Sequence, residues 1–158
     1  MPTLTINIAC SGTKMEKTTK LGFHHISAVG HIWFSLTKEY GTKPKCYGFA
    51  PDELHKGSPS ALGQIYTTDD SNYLLPRYYT RTVYISQTQY DEMIDFGNDP
   101  RKEGFILYYK LFSNNCTHFT WKAMSFVCLN LIGNPGIAPE WCKSNVDKAL
   151  SEVILISE

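Results

Sequence analysis

The stretch Thr117 to Leu131 sets Phe119, Ala123, Phe126, Val127 and Leu131 on a single helical stripe. A helix of this kind is stable only when its apolar side is covered by another layer. The rest of the chain offers strands for that purpose. Thr3 to Ala9 alternates Leu4, Ile6 and Ile8 against Thr3, Thr5 and Asn7, which reads as a first strand. Gly30 to Thr37, rich in aromatic and β-branched residues, reads as a second. The turn Tyr40 to Pro44 joins it to a third, Lys45 to Phe49, as an antiparallel hairpin. Tyr79 to Ile85 makes a fourth strand. Gly104 to Phe112 makes a fifth, with Phe105, Leu107, Tyr109 and Leu111 on one face.

Between these elements, Cys10 to Phe23 reads as a polar loop and Ala50 to Arg77 as a long irregular insertion, a rim or lid. Ser86 to Gln89 is a capping box that opens a helix through about Phe96, broken by Gly97 to Pro100. Gly133 to Gly136 stops the main helix. Ser144 or Asn145 caps a short last helix to about Glu152, and Val153 to Ile156 forms an apolar tail. The expected fold is one α+β domain over residues 1–158, an antiparallel sheet packed on the main helix.

Charge and cysteine content narrow the function. Lys plus Arg and Asp plus Glu balance at 15 each, so no long-range attraction to nucleic acid is expected. No run approaches about 18 apolar residues, so no membrane span is expected. Residues 1–9 lack an apolar core of the signal-peptide kind, which predicts a protein that stays in the cytoplasm or leaves without a cleaved signal. The five cysteines, Cys10, Cys46, Cys116, Cys128 and Cys142, form no CxxC, and neither a metal nor a cofactor is expected. A disulfide among Cys10, Cys46 and Cys142 is open in an oxidising compartment, and sequence does not pair them.

Chemistry concentrates at Cys116, which follows the turn-prone Ser113-Asn114-Asn115 and opens the main helix. A helix N-terminus favours thiolate over thiol, and its amides can hold an oxyanion. The spacing to Phe119 and Ala123 turns the sulfur toward the sheet, so its base should lie on a strand. His31, at the start of Gly30 to Thr37, fits that place. Tyr47 on the next strand, or Ser35 along the same face, is the candidate to hold the ring.

Plainer readings exist for each. A buried Cys is usually an inert small hydrophobe, as Cys128 is expected to be, and a strand His is often structural. His24 and His25 read as solvated loop residues, and His55 carries no signal. Cys116 and His118, two apart on a helix, do not face one metal. No G-x-S-x-G elbow occurs.

Gly30-His31 with Ser35-Leu36, then Tyr47-Gly48-Phe49-Ala50-Pro51, then Tyr109 and Asn115-Cys116-Thr117-His118-Phe119 resemble the circularly permuted NlpC/P60-like branch of papain-like cysteine hydrolases. The resemblance runs from about Gly30 to Leu131. It implies a papain-like fold with Cys116 as nucleophile and His31 as base. The third polar position falls near Tyr47, where that family has His, Asn or Gln. It also implies amide hydrolysis in peptidoglycan stem peptides. The small size and missing signal are similar to antibacterial effectors of type VI secretion. On that likeness the protein is cytoplasmic in the producing cell and acts in a target cell's periplasm. A secretion-apparatus carrier and an immunity protein occluding the cleft are then the expected partners. Two other classes stay open. One is a thiol acyltransferase or a lipid or isopeptide hydrolase, which needs an apolar channel beside Cys116. The other is a non-catalytic binding module, in which Cys116 and His31 lie far apart.

Overall fold

The computed structural model describes residues 1–18, 24–26, 29–73, 76–131 and 138–153. Within them the strands are β1 (Thr3–Ala9), β2 (Lys14–Thr18), β3 (His24–Ile26), β4 (His31–Thr37), β5 (Lys45–Pro51), β6 (Ser60–Tyr66), β7 (Tyr79–Tyr84) and β8 (Tyr108–Lys110). The α-helices are α1 (Asp69–Asn72), α2 (Gln87–Asn98), α3 (Cys116–Met124) and α4 (Lys143–Ser151). The architecture is α+β. Six strands form one antiparallel sheet in the order β7-β1-β4-β5-β6-β8, and β2 and β3 form a separate two-stranded ribbon.

Period-two alternation divides the sheet into two different faces. Leu4, Ile6 and Ile8 of β1, Ile32, Phe34 and Leu36 of β4, and Tyr47 and Phe49 of β5 share one buried cluster with residues of α2, α3 and α4. Phe119 of α3 is the hub of that cluster. Its ring lies 5.7 Å from Phe34, 5.1 Å from Phe96 and 5.3 Å from Phe105. Truncating such a ring to Ala typically costs about 3–5 kcal/mol. The other face carries Ala9, Trp33 and Cys46, packed with Tyr73 and Met15, and buried polar groups of Asn7, His31 and Ser35. Here α1 and β2 provide the cover, with Met15 bridged to Tyr73.

The sheet is not continuous at its centre. β4 stays paired with β1 from Thr3↔Thr37 to Ala9↔His31. Its pairing with β5 covers only Phe34↔Tyr47, Ser35↔Cys46 and Leu36↔Lys45. Past that point β5 continues along β6 on its other side, from Gly48↔Tyr66 to Pro51↔Gly63. A fork therefore opens between His31–Trp33 and Gly48–Pro51. Thr120 of α3 docks at its edge, donating a 3.4 Å hydrogen bond to the Ile32 carbonyl.

Several expectations need correction. Lys14–Thr18 and His24–Ile26 are strands, not loop, because they pair with each other, and β2 packs against α1. The supposed insertion holds β6 and α1, and β6 supplies the sheet position between β5 and β8. The last strand is short: Gly104 turns the chain at φ 77°, and ladder pairing begins only at Tyr108. The main helix begins one residue earlier than expected, at Cys116, and ends at Met124. The capping box of α2 is complete, with Ser86 and Gln89 each accepting the other's backbone N–H. The stop at Gly133 to Gly136 and the tail beyond Val153 lie outside the described residues.

Candidate active site

Cys116 is the first residue of α3, placed there by a full capping box built around Asn115. The Asn115 Oδ1 accepts the Thr117 N–H at 2.9 Å and the Thr117 hydroxyl at 2.6 Å. Its Nδ2 donates to the Leu111 carbonyl at 2.6 Å, tying the cap to the end of the preceding strand. His118 closes the box, its Nδ1 accepting the Asn115 N–H at 3.2 Å. Nδ1 also lies 2.8 Å from Asn115 Oδ1, and burial lowers the His118 pKa, which favours the neutral ring. The pattern Asn-x-x-His thus does what Ser-x-x-Glu does elsewhere, which is the role of a histidine set aside as a metal ligand. The cap takes the Thr117 amide, so that N–H is already bonded within the helix start.

His31 and Cys116 belong to different faces of the sheet, and the fork is where they meet. The thiol is buried with the helix layer, the imidazole with the α1 layer, and a side-chain hydrogen bond joins them. The imidazole Nε2 lies 2.8 Å from Asp69 Oδ2. All three groups are at least 95 % buried. Burial by itself would lower the His31 pKa. Tyr73, the Asp69 carboxylate and the Cys116 hydrogen bond together raise it well above the ordinary 6.5. Tyr73 also stacks on the imidazole with ring centres 4.9 Å apart and planes 15° off parallel.

Gly48 is part of this arrangement. A Cβ there would overlap the Asp69 carboxylate and stand 2.7 Å from His31 Nε2. A bare backbone at that point is what lets the acid and the imidazole meet.

The structure replaces the expected third residue. Tyr47 pairs with Phe34 in the ladder, so it faces the helices, away from His31. Its hydroxyl donates to Asn98 Oδ1 at 3.0 Å and its ring packs over Gly97. Ser35 shares the face of His31 but donates to Asp70 Oδ1 at 2.7 Å. The ring-holding group is Asp69, from a segment that sequence alone reads as irregular.

The triad opens into a cavity of about 560 Å³. Met15, Phe49, Pro51, Tyr66, Tyr109 and Leu111 form much of its wall, with Lys56, Ser58 and Asn72 as the polar groups away from the triad. Burial, and next the neighbouring Cys116, raises the pKa of the Tyr109 hydroxyl. The remaining cysteines behave as core residues. Burial pushes Cys128 up to about 11 and Cys142 up to about 12, while Cys46 donates to the Thr67 carbonyl. All five cysteines are free thiols. His55 pairs with Asp52 at 2.6 Å in an exposed turn, and the side chains of His24 and His25 lie outside the described residues. Among the described residues no three His, Cys, Asp or Glu side chains are grouped to hold a metal ion. Among them, too, no helix is long and apolar enough to cross a membrane.

Comparison with family models, with curated proteins and with solved structures finds no match to this chain.

Proposed function

We propose that the protein is a thiol hydrolase of the permuted NlpC/P60-like, papain-like kind, with Cys116 as nucleophile, His31 as base and Asp69 as the group that orients His31. The observation that carries this reading is the buried line Cys116–His31–Asp69 opening into a cavity. A thiol at a helix N-terminus, an imidazole bonded to it and a carboxylate behind the imidazole are the parts that acyl transfer through sulfur requires. The thiolate attacks a carbonyl carbon and the Cys116 N–H binds the developing oxyanion. The imidazolium gives its proton to the leaving group, and water then cleaves the thioester with His31 as base. The cavity is large enough for a peptide or small-ligand segment.

The preferred substrate is an amide of the peptidoglycan stem peptide, and the preferred setting an antibacterial effector acting in a target cell's periplasm. A second reading is favoured by the cavity wall. Its prevalence of aliphatic and aromatic side chains suits an apolar acyl group, as in a lipid acyl hydrolase or acyltransferase. Both readings are tested by incubating wild type and Cys116→Ala with purified peptidoglycan and, in parallel, with phospholipid vesicles, followed by mass analysis. Muropeptide release that depends on Cys116 supports the first, and fatty-acid release the second. Equal activity of Cys116→Ala on either substrate ends the thiol mechanism.

A further inference from the structure

The four residues of α1 cannot hold themselves in place. A single helical turn is unstable in isolation, and Thr68 at its N-cap makes no side-chain capping bond. Yet this turn delivers Asp69 to His31 and is followed directly by Tyr73, which stacks on the same ring. Something else must fasten it.

Besides the Met15–Tyr73 bridge and the Cys46–Thr67 contact, the second carboxylate of the Asp69-Asp70 pair ties the turn to β4. Asp70 points the other way along the sheet face, and its Oδ1 accepts from the Trp33 Nε1–H at 2.7 Å and from the Ser35 hydroxyl at 2.7 Å. Its backbone carbonyl accepts from Arg77 Nη2 at 2.7 Å, and the Arg77 guanidinium lies over the Trp33 ring at 5.1 Å. Ser35 is in turn held by Asn7 Nδ2 at 3.3 Å, and Asn7 by the Thr80 hydroxyl at 3.2 Å. Trp33 and Ser35 are the next two same-face residues after His31 on β4. One strand therefore carries both the base and the two donors that moor the acid's segment.

We propose that Asp70 is a positioning residue for this site. Anchored on Trp33 and Ser35, it sets α1 at the height where Asp69 reaches His31 Nε2 and Tyr73 covers the ring. This rests on the thiol-hydrolase reading of the triad but assigns a role outside it. A carboxylate one residue from the acting one would otherwise look like a simple surface charge or a duplicate of it.

The test reads the thiol itself, so it does not depend on knowing the substrate. Iodoacetamide labelling of Cys116 is followed by peptide mass analysis between pH 5 and pH 9, in wild type and in His31→Ala, Asp69→Ala, Asp70→Ala and Asp70→Asn. The buried Cys128 and Cys142 serve as reporters of global unfolding within the same sample. The expected result is labelling at pH 6 slowed about tenfold or more in His31→Ala, Asp69→Ala and Asp70→Ala, equivalent to at least one unit in the governing pH profile. Asp70→Asn, which keeps an acceptor oxygen for Trp33 and Ser35, should stay within about threefold of wild type. Unchanged labelling in both His31→Ala and Asp69→Ala would sink the triad reading. A clear effect in Asp69→Ala with none in Asp70→Ala would sink only the anchor. Should Asp70→Ala expose Cys128 and Cys142, Trp33→Phe combined with Ser35→Ala decides: a wild-type profile there overturns the proposal.

Discussion

Gly48 and Asp69 are matched by the absence of a side chain: the space a Cβ at 48 would occupy is filled by the Asp69 carboxylate. Alanine at 48 should therefore act like the loss of Asp69. Overpacking of this kind costs about 1–3 kcal/mol of stability. The expected signature of Gly48→Ala is a folded protein whose Cys116 labelling profile overlays that of Asp69→Ala. A profile matching wild type would mean that Asp69 yields without leaving His31.

Asp69→Asn should move the basic limb of activity to lower pH. In the wild type the charge and hydrogen bond of Asp69 help hold the His31 imidazolium above the ordinary histidine range. With the charge removed, burial pulls in the opposite direction and the imidazolium is lost earlier as pH rises. The pH dependence of Cys116 labelling, or of hydrolysis once a substrate is in hand, reads this directly. A basic limb that stays in place counts against Asp69 as the cause.

Two histidines should give the stability curve opposite slopes on either side of pH 6.5. His31 has a raised folded pKa, so its contribution is complete below about 6.5 and is lost as pH rises toward that folded value. His118 has a lowered folded pKa, so its contribution is complete above about 6.5 and fades as pH falls toward that value. Melting temperatures between pH 5 and pH 9 should show His118→Gln flattening the acid side and Asp69→Asn flattening the basic side. The reverse assignment would contradict the capping role of His118.

Tyr47→Phe should leave chemistry alone. It deletes one partly buried hydrogen bond to Asn98 and keeps the ring over Gly97, a loss of about 1 kcal/mol in denaturant unfolding. Cys116 labelling should match wild type at every pH. A tenfold loss would reopen Tyr47 as a member of the site.

What the sequence disclosed depended on how local the signal was. Alternation located β1, and Ser86-Gln-Thr-Gln89 located the start of α2, because both are decided within a few residues. The position of Cys116 at a helix start was legible for the same reason, and His31 reads as the strand histidine able to face it, a juxtaposition the fold shows. Asp69 was not legible. Its segment is a single turn with no internal cap, held by Trp33 and Ser35 from β4, contacts that leave no mark in neighbouring residues. Tyr47 was assigned from adjacency in the hairpin. The ladder register Phe34↔Tyr47, which decides the face, becomes visible only once the turn is built. His118 was readable as a capping partner, but Asn-x-x-His is a less familiar form of the box than Ser-x-x-Gln.

The fork between β4 and β5 also governs when the site can exist. Its sulfur and its imidazole come from opposite sides of the sheet and from distant parts of the chain, so they meet only after β1–β4 pairing and α3 docking are both complete. Contacts between such distant segments are the slow ones to form. A chain collapsed in either half alone carries cysteines and histidines but does not bring Cys116 and His31 together. The pairing of that thiol with that imidazole is thus a property of the completed fold and not of either half.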